Sequence, residues 1–327
     1  MTKKIKNRII TFIFAVLLLI LSIIIPTNYA VLMPGSMNKV STNIEIENVE
    51  NVDNFYTTSV LYLSRVSPLT KMALELNKAY DVYEMSAYEK SITSSDDYLM
   101  GQISKKYSYH SSLINAYQEA SKVDPSILIN YQINSLILYY RPSRMNDLKI
   151  GDEVIKIEDQ EITKDNYLEL INQSKKDNLN LTIKRDDKLI EHTVKYDFDK
   201  DKYYISFYPN IIIISSTPKF QLPGLDSTVG GPSGGLMQSI NIYASLLKLN
   251  FGGLKIGGTG TINFEGAVGK IGGAPQKIHT ANRYKMDIFF IANSNDIEVV
   301  NIKKNFEYYP VKTFAEAIEI LRTKIKD

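Results

Sequence analysis

From residue 9 to residue 25 every position is apolar except Thr11 and Ser22, a pattern too uniform for one face of a surface helix. At about 1.5 Å per helical residue the run spans roughly 25 Å, a little short of the ~30 Å hydrocarbon core of a bilayer. Tyr29, Ala30, Val31, Leu32 and Met33 can extend it through the interface. Lys3, Lys4, Lys6 and Arg8 precede the run with no acid among them, which places the N-terminus in the cytoplasm and the rest of the chain outside. The other reading of such a start is a cleaved signal peptide. Pro26-Thr27-Asn28-Tyr29-Ala30 lacks the small residue that a cleavage site needs three positions before the cut, so a retained anchor over residues 9–30, after a cytoplasmic tail of residues 1–8, is expected.

Beyond the anchor the pattern changes three times. Residues 34–53 are polar and read as a stalk leading to a strand near residues 56–63. Met72, Ala73, Leu76 and Ala79 then mark one helix, and Leu113, Ile114, Ala116, Tyr117 and Ala120 another, at spacings of three and four. Between them residues 84–105, rich in Ser, Tyr and charge, are expected as an exposed loop or lid; the whole of 31–123 is a membrane-proximal stalk and helical region on this reading. Residues 124–200 alternate as short β segments (135–140, 153–158, 179–185 and 191–196) with one helix at 165–173 and a tight turn at Gly151. Residues 201–327 mix strands and helices: a β-branched run at 203–215, helices at 234–247 and 275–285, a hairpin about Glu265-Gly266, a buried strand at 287–292, and a closing helix at 313–325. Thr313-Phe314-Ala315-Glu316 opens that last helix as a capping box. The fold class is α+β.

Composition narrows the function. The hydrophobic share of 44% supports packed cores, and a net charge of +2 spread without a basic block argues against a nucleic-acid partner. The absence of cysteine removes disulfides, thiol catalysis and Cys-ligated zinc. There is no G-x-x-x-x-G-K-[ST] loop to hold a nucleotide. No cofactor and no metal are expected.

Candidate chemistry gathers in two places. Gly230-Gly231-Pro232-Ser233-Gly234-Gly235 leads from a loop into a helix carrying Leu236, Met237, Ile240, Tyr243, Ala244 and Leu247. This puts Ser233 at a helix N-terminus, where free N–H groups can stabilise an oxyanion. By itself a Gly-rich loop before a helix fits a phosphate loop or a plain cap equally well. The second place is Ile271-Gly272-Gly273-Ala274-Pro275-Gln276-Lys277, where Pro275 starts a helix and Lys277 lies in its first turn.

Together the two segments resemble the Lon family of peptidases, in which a Pro-Ser-(Ala/Gly)-Gly nucleophile is followed by Gly-Gly-x-x-x-Lys. Here the serine and the lysine stand 44 positions apart. Between them Gly258-Thr259-Gly260-Thr261-Ile262 is similar to the family's Thr-Gly-x-Ile strand. The resemblance implies Ser233 as nucleophile, Lys277 as general base and Thr259 as the residue that orients them, with Gly231, Pro232 and Gly234 shaping the nucleophile loop. It is strong over residues 210–325. More loosely, the order of anchor, PDZ-like domain (124–200) and Lon-type proteolytic domain (201–327) resembles the membrane-anchored Lon-like proteases of the YlbL-like group. That implies an ATP-independent extracytoplasmic serine endopeptidase acting on peptides or membrane-proximal proteins. Lon-type domains commonly form rings, so a homo-oligomer stays open as a partner. The stretch 127–138, where a PDZ domain carries its ligand loop, has no glycine, which puts capture of a free C-terminus in doubt.

For the chemistry to run at neutral pH the lysine must fall about 3 units from its ordinary 10.4. Burial does this, and Ile271, Ala274 and Ile278 are apolar neighbours in sequence. Competing readings are weaker. Lys270 reads as a surface charge. His279 points to a different helix face from Lys277, and His110 and His192 have no triad context. Ser36 in Pro34-Gly35-Ser36-Met37 lacks the residues a signal-peptidase motif requires. A second class of function is a PDZ-bearing membrane scaffold that has lost catalysis.

Overall fold

In the computed structural model, which describes residues 3–41, 44–142, 144–173, 178–197, 203–224 and 231–326, the apolar run is one helix, α1 (Lys3–Ile24). Its segment Lys4–Ile24 has a mean hydropathy of 2.5, no contact with a protein core, and the length and apolarity to cross a membrane. The helix ends before Pro26, whose ring disfavours helical geometry in the residue ahead of it. Residues 29–33 do not prolong the span as expected. They begin a strand.

The chain then runs β1 (Tyr29–Lys39), β2 (Phe55–Leu63), α2 (Pro68–Glu75), β3 (Asp81–Glu84), α3 (Ser94–Ser121), β4 (Leu128–Tyr140), β5 (Glu153–Ile157), α4 (Tyr167–Gln173), β6 (Leu179–Arg185), β7 (Lys188–Val194), β8 (Ser206–Thr217), α5 (Gly235–Leu246), β9 (Ile256–Thr259), α6 (Ala274–Tyr284), β10 (Ile288–Ala292), β11 (Glu307–Val311) and α7 (Phe314–Arg322). The main sheet has the order β11-β10-β9-β2-β1-β3. From β11 to β2 it is parallel, and β1 is antiparallel to both of its neighbours. All five residues of β10 are buried, as a parallel strand covered on both faces requires.

This sheet corrects the expected organisation. Residues 34–53 are not simply a stalk ahead of a separate C-terminal domain: residues 34–39 lie in β1, which pairs with the expected strand β2. Strands β1 and β2 complete a sheet whose other half comes from residues 256–311. Residues 84–105 are not a lid either. They hold the end of β3, a short helix Ala87–Ser91 and the first half of α3. The signals were local: Ser86 and Glu89 form a capping box, and Thr93 accepts from Asp96 N–H to cap α3. The first turns of α3 look like loop because they are exposed and polar; burial starts at Ser104.

Helix α5 is buried along all twelve of its residues, with the main sheet on one side and the second half of α3 on the other. The closing helix α7 is N-capped by Thr313, which accepts from Glu316 N–H at 3.2 Å. The expected reciprocal bond is absent, because the Glu316 carboxylate takes the N–H of Lys312 instead, at 2.6 Å. The predicted hairpin about Gly266 is shorter than expected: Thr261–Ile262 pairs with Val268–Gly269, while β9 joins the parallel sheet.

The second sheet is antiparallel throughout, in the order β8-β4-β5-β6-β7. Leu136, Leu138, Val154, Ile157, Leu181 and Ile183 form its core, roofed by Tyr167 and Leu170 of α4. Gly151 takes φ +95° in the expected tight turn, and the buried Asp152 beside it accepts from Arg185 Nε at 2.7 Å and Nη2 at 2.6 Å. Residues 128–138 are not a ligand loop but part of β4, paired with β8. Phe264, from the hairpin loop of the main body, packs into this second core between Tyr131 and Tyr167, with ring centroids 6.2 and 6.3 Å away.

Candidate active site

Pro232, Ser233 and Gly234 form a single 3-10 turn that runs into α5 after Gly231. Two adjacent elements press on the start of this helix. A Cβ on Gly235 would come within 2.7 Å of Ser108 Oγ on α3 and 2.9 Å of Ile262, so only a residue without a side chain lets the turn sit this deep. A Cβ on Gly234 would meet the Thr57 side chain, nearest its hydroxyl at 3.1 Å. Ser233 O accepts from Gly260 N at 2.8 Å and from Thr259 Oγ1 at 3.1 Å, and Leu236 N–H donates to Gly260 O at 3.1 Å. Three bonds thus fasten the turn to the end of β9. Ser233 itself is half-buried and keeps an open side.

Lys277 reaches the same point from α6. Gly273, at φ +67°, turns the chain into that helix, and Pro275 occupies its start. Asn295, fully buried, donates to Ile271 O and accepts from Ile271 N–H, each at 2.9 Å, which fixes the loop that aims the helix. Lys277 Nζ lies 2.9 Å from Ser233 Oγ and 2.9 Å from Thr259 Oγ1. The side chain of Lys277 is 2% exposed and Thr259 is fully buried. Among the described residues no carboxylate pairs with this amine. Burial pushes Lys277 down to about 7, because the charged form loses its water and gains no counter-ion.

In its neutral form the amine can donate to Thr259 while its lone pair accepts the Ser233 hydroxyl proton. That is the arrangement a serine nucleophile needs before it can attack a carbonyl. The first N–H groups of a helix have no intrahelical partner, so the turn that carries Ser233 is also a place where a developing oxyanion meets donors.

All six candidate residues, Gly231, Pro232, Ser233, Gly234, Thr259 and Lys277, come together here. Gly230 lies outside the described residues. Lys270 is exposed and paired with Glu298 at 2.7 Å, as a surface charge should be. No histidine is among the hydrogen-bond partners of Ser233; His110 is buried on α3 and held neutral, down to about 4. Ser36 bonds Ser59 Oγ and Asn38 in the main sheet.

No local pattern marks Thr57, Ser108, Ser112 or Asn295 as part of the site. Ser108 Oγ donates to Pro232 O at 3.4 Å and Ser112 Oγ to Gly235 O at 3.0 Å, so α3 supports the turn that carries Ser233 from behind. Beside the turn, β2 pairs with β9 only over residues 55–57, although its ladder with β1 continues to Leu63. Residues 58–63 therefore keep one strand edge without a ladder partner among the described residues. That edge starts next to Gly234 and passes Gly273, whose Cβ position lies 2.8 Å from Val60.

The chain matches no family model, and no curated protein matches it.

Proposed function

We propose that the protein is a membrane-anchored serine endopeptidase of the Lon-like type, with Ser233 as nucleophile, Lys277 as general base and Thr259 as the group that directs the amine. One observation carries the reading: a lysine pushed down to about 7 by burial, with no acid paired to it among the described residues, lies 2.9 Å from a serine hydroxyl and 2.9 Å from a buried threonine. A lysine taken out of water for structural reasons alone would be expected to have an acid partner.

In the proposed reaction Lys277 takes the proton of Ser233 Oγ as the oxygen attacks a peptide carbonyl. Donors at the turn stabilise the tetrahedral oxyanion, and the proton passes to the leaving amine. Water then attacks the acyl-enzyme with Lys277 again as base, which frees the acid product and restores Ser233. The edge at residues 58–63, which has no ladder partner among the described residues, supports an extended substrate laid down by strand addition across the nucleophile. The second sheet fits the proposed PDZ-like module in that reading. The cations Lys3, Lys4, Lys6 and Arg8 in the first turns of α1 support an N-terminus in the cytoplasm and a site outside it. Cleavage needs no nucleotide.

A serine-reactive fluorophosphonate applied to the full chain in detergent is expected to add one adduct, on Ser233, and to leave Ser233→Ala and Lys277→Ala unlabelled by intact mass. Equal labelling of all three chains would return the molecule to the catalytically silent scaffold. The pH profile is a separate check. A base must be neutral to act, so kcat/KM for a peptide is expected to rise with pH through a midpoint near 7 and level off above 8. A profile flat from pH 6 to 9 contradicts a lysine base with this pKa.

A further inference from the structure

Helix α2 is formed without a core. None of its residues is buried, and it is set locally by Ser67, which accepts from Thr70 N–H, and by Pro68 at its start. Its apolar side chains Leu69, Met72 and Leu76 follow helical spacing and form a stripe that faces away from the protein; Met72 is 65% and Leu76 86% exposed. The end of β2 adds exposed Leu61, Tyr62 and Leu63 just before this helix.

The stripe lies where α1 leaves the sheet, and it cannot swing away. Thr27 donates to Val66 O through its backbone N–H (3.1 Å) and through Oγ1 (2.6 Å), while Val66 N–H donates to Tyr29 O at 3.0 Å. These bonds join Thr27 and Tyr29, shortly after α1, to the loop that opens α2, and the two helices touch. Lys71 sits over the Tyr29 ring, 3.7 Å from its centroid, placing a cation and an aromatic ring beside the apolar stripe. Chemistry of this kind suits the headgroup boundary of a bilayer, where aromatic rings and long cationic side chains settle and apolar residues reach inward.

We propose that α2 with the end of β2 is a foot that rests in the lipid interface beside the membrane-spanning helix. The occupant is the bilayer itself, because the apolar face is continuous with a segment that already lies in it. The inference rests on α1 spanning the membrane and not on the peptidase reading. If the site is a peptidase, three residues of strand, about 10 Å, separate Val60 at the active site from Leu63 in the foot. Its substrates are then polypeptides cut close to the membrane surface.

The chain has no cysteine, so single cysteines can report depth. Full-length Met72→Cys, Leu76→Cys, Leu18→Cys and Glu319→Cys would each carry an environment-sensitive fluorophore, in vesicles of phosphatidylcholine with phosphatidylglycerol. Spin-labelled lipids then quench from a shallow or a deep position on the acyl chain. Positions 72 and 76 are expected to be quenched about twofold by the shallow label, as suits a helix about 5–10 Å into the boundary. Position 18 should respond to the deep label and position 319 to neither. If 72 and 76 behave like 319 while 18 is quenched, the foot is wrong and the span stands. If 18 is not quenched either, the span fails and the foot fails with it. Neither result touches the peptidase reading, which labelling of Ser233 decides.

Discussion

Lys277→Ala is expected to slow peptide hydrolysis roughly 10²- to 10⁴-fold, the range that a positioned general base contributes. Ser233→Ala should remove the acyl-enzyme route altogether. The informative partner is Lys277→Arg, which keeps the positive charge and much of the length but cannot give up its proton at any working pH. If the lysine served only as a buried cation, arginine would retain activity. If it is the base, arginine should be as slow as alanine, and its pH profile should lose the limb near 7. Initial rates on an unstructured fluorogenic peptide, from pH 6 to 9, separate the two. Lys277→Ala with wild-type kcat and Lys277→Arg with a preserved limb would together end the proposal.

The same amine should be costly to the fold. Its pKa is about 7 when buried and 10.5 when exposed to water. Between these values the unfolded chain holds a proton that the folded chain lacks, so stability rises with pH across this window and the penalty is complete below 7. At 1.36 kcal/mol per pH unit the penalty at pH 7 is about 4 kcal/mol. Lys277→Met relieves it but leaves the Ser233 and Thr259 hydroxyls short of a partner, at about 1 kcal/mol each. The variant should be inactive and yet more stable than wild type by about 2 kcal/mol at pH 7, from denaturant midpoints on the detergent-solubilised chain. At pH 10 the penalty shrinks to under about 1 kcal/mol, and the advantage should vanish or reverse. A gain that does not change between the two pH values would mean that Met simply packs better. A loss at both would mean that the lysine is not under strain.

The dyad was legible because its signals are local. Glycines on both sides of a serine before an apolar helix, and a proline at the first turn of the helix that bears the lysine, are constraints on a few consecutive residues. What surrounds the dyad was not legible, because it arrives from far along the chain. Thr57 and Ser108 reach the Ser233 turn across more than a hundred residues and belong to no pattern. Strand β1 was hidden for another reason. Its opening residues are as apolar as the span before them, and Pro34-Gly35-Ser36 reads as a loop, where the ladder with β2 in fact shifts register between Pro34 and Met37. The polar first turns of α3 read as an exposed loop or lid because exposure and irregularity give the same composition; the caps at Ser86 and Thr93 separate them.

The pairing of β2 with β9 also sets an order of events while the chain is being made. Asn54 donates to Leu254 O, 200 residues further on, and the parallel ladder from Phe55 to Ile256 starts beside it. At about 5–20 residues per second, β1 and β2 wait roughly 10–40 s for their partner to be synthesised. The second sheet, whose strands all lie before residue 218, can pair during that interval. A nascent chain stopped before residue 256 therefore carries all the strands of the small sheet, without Phe264 in its core, beside an unfinished large sheet, and it has no Lys277 to meet Ser233.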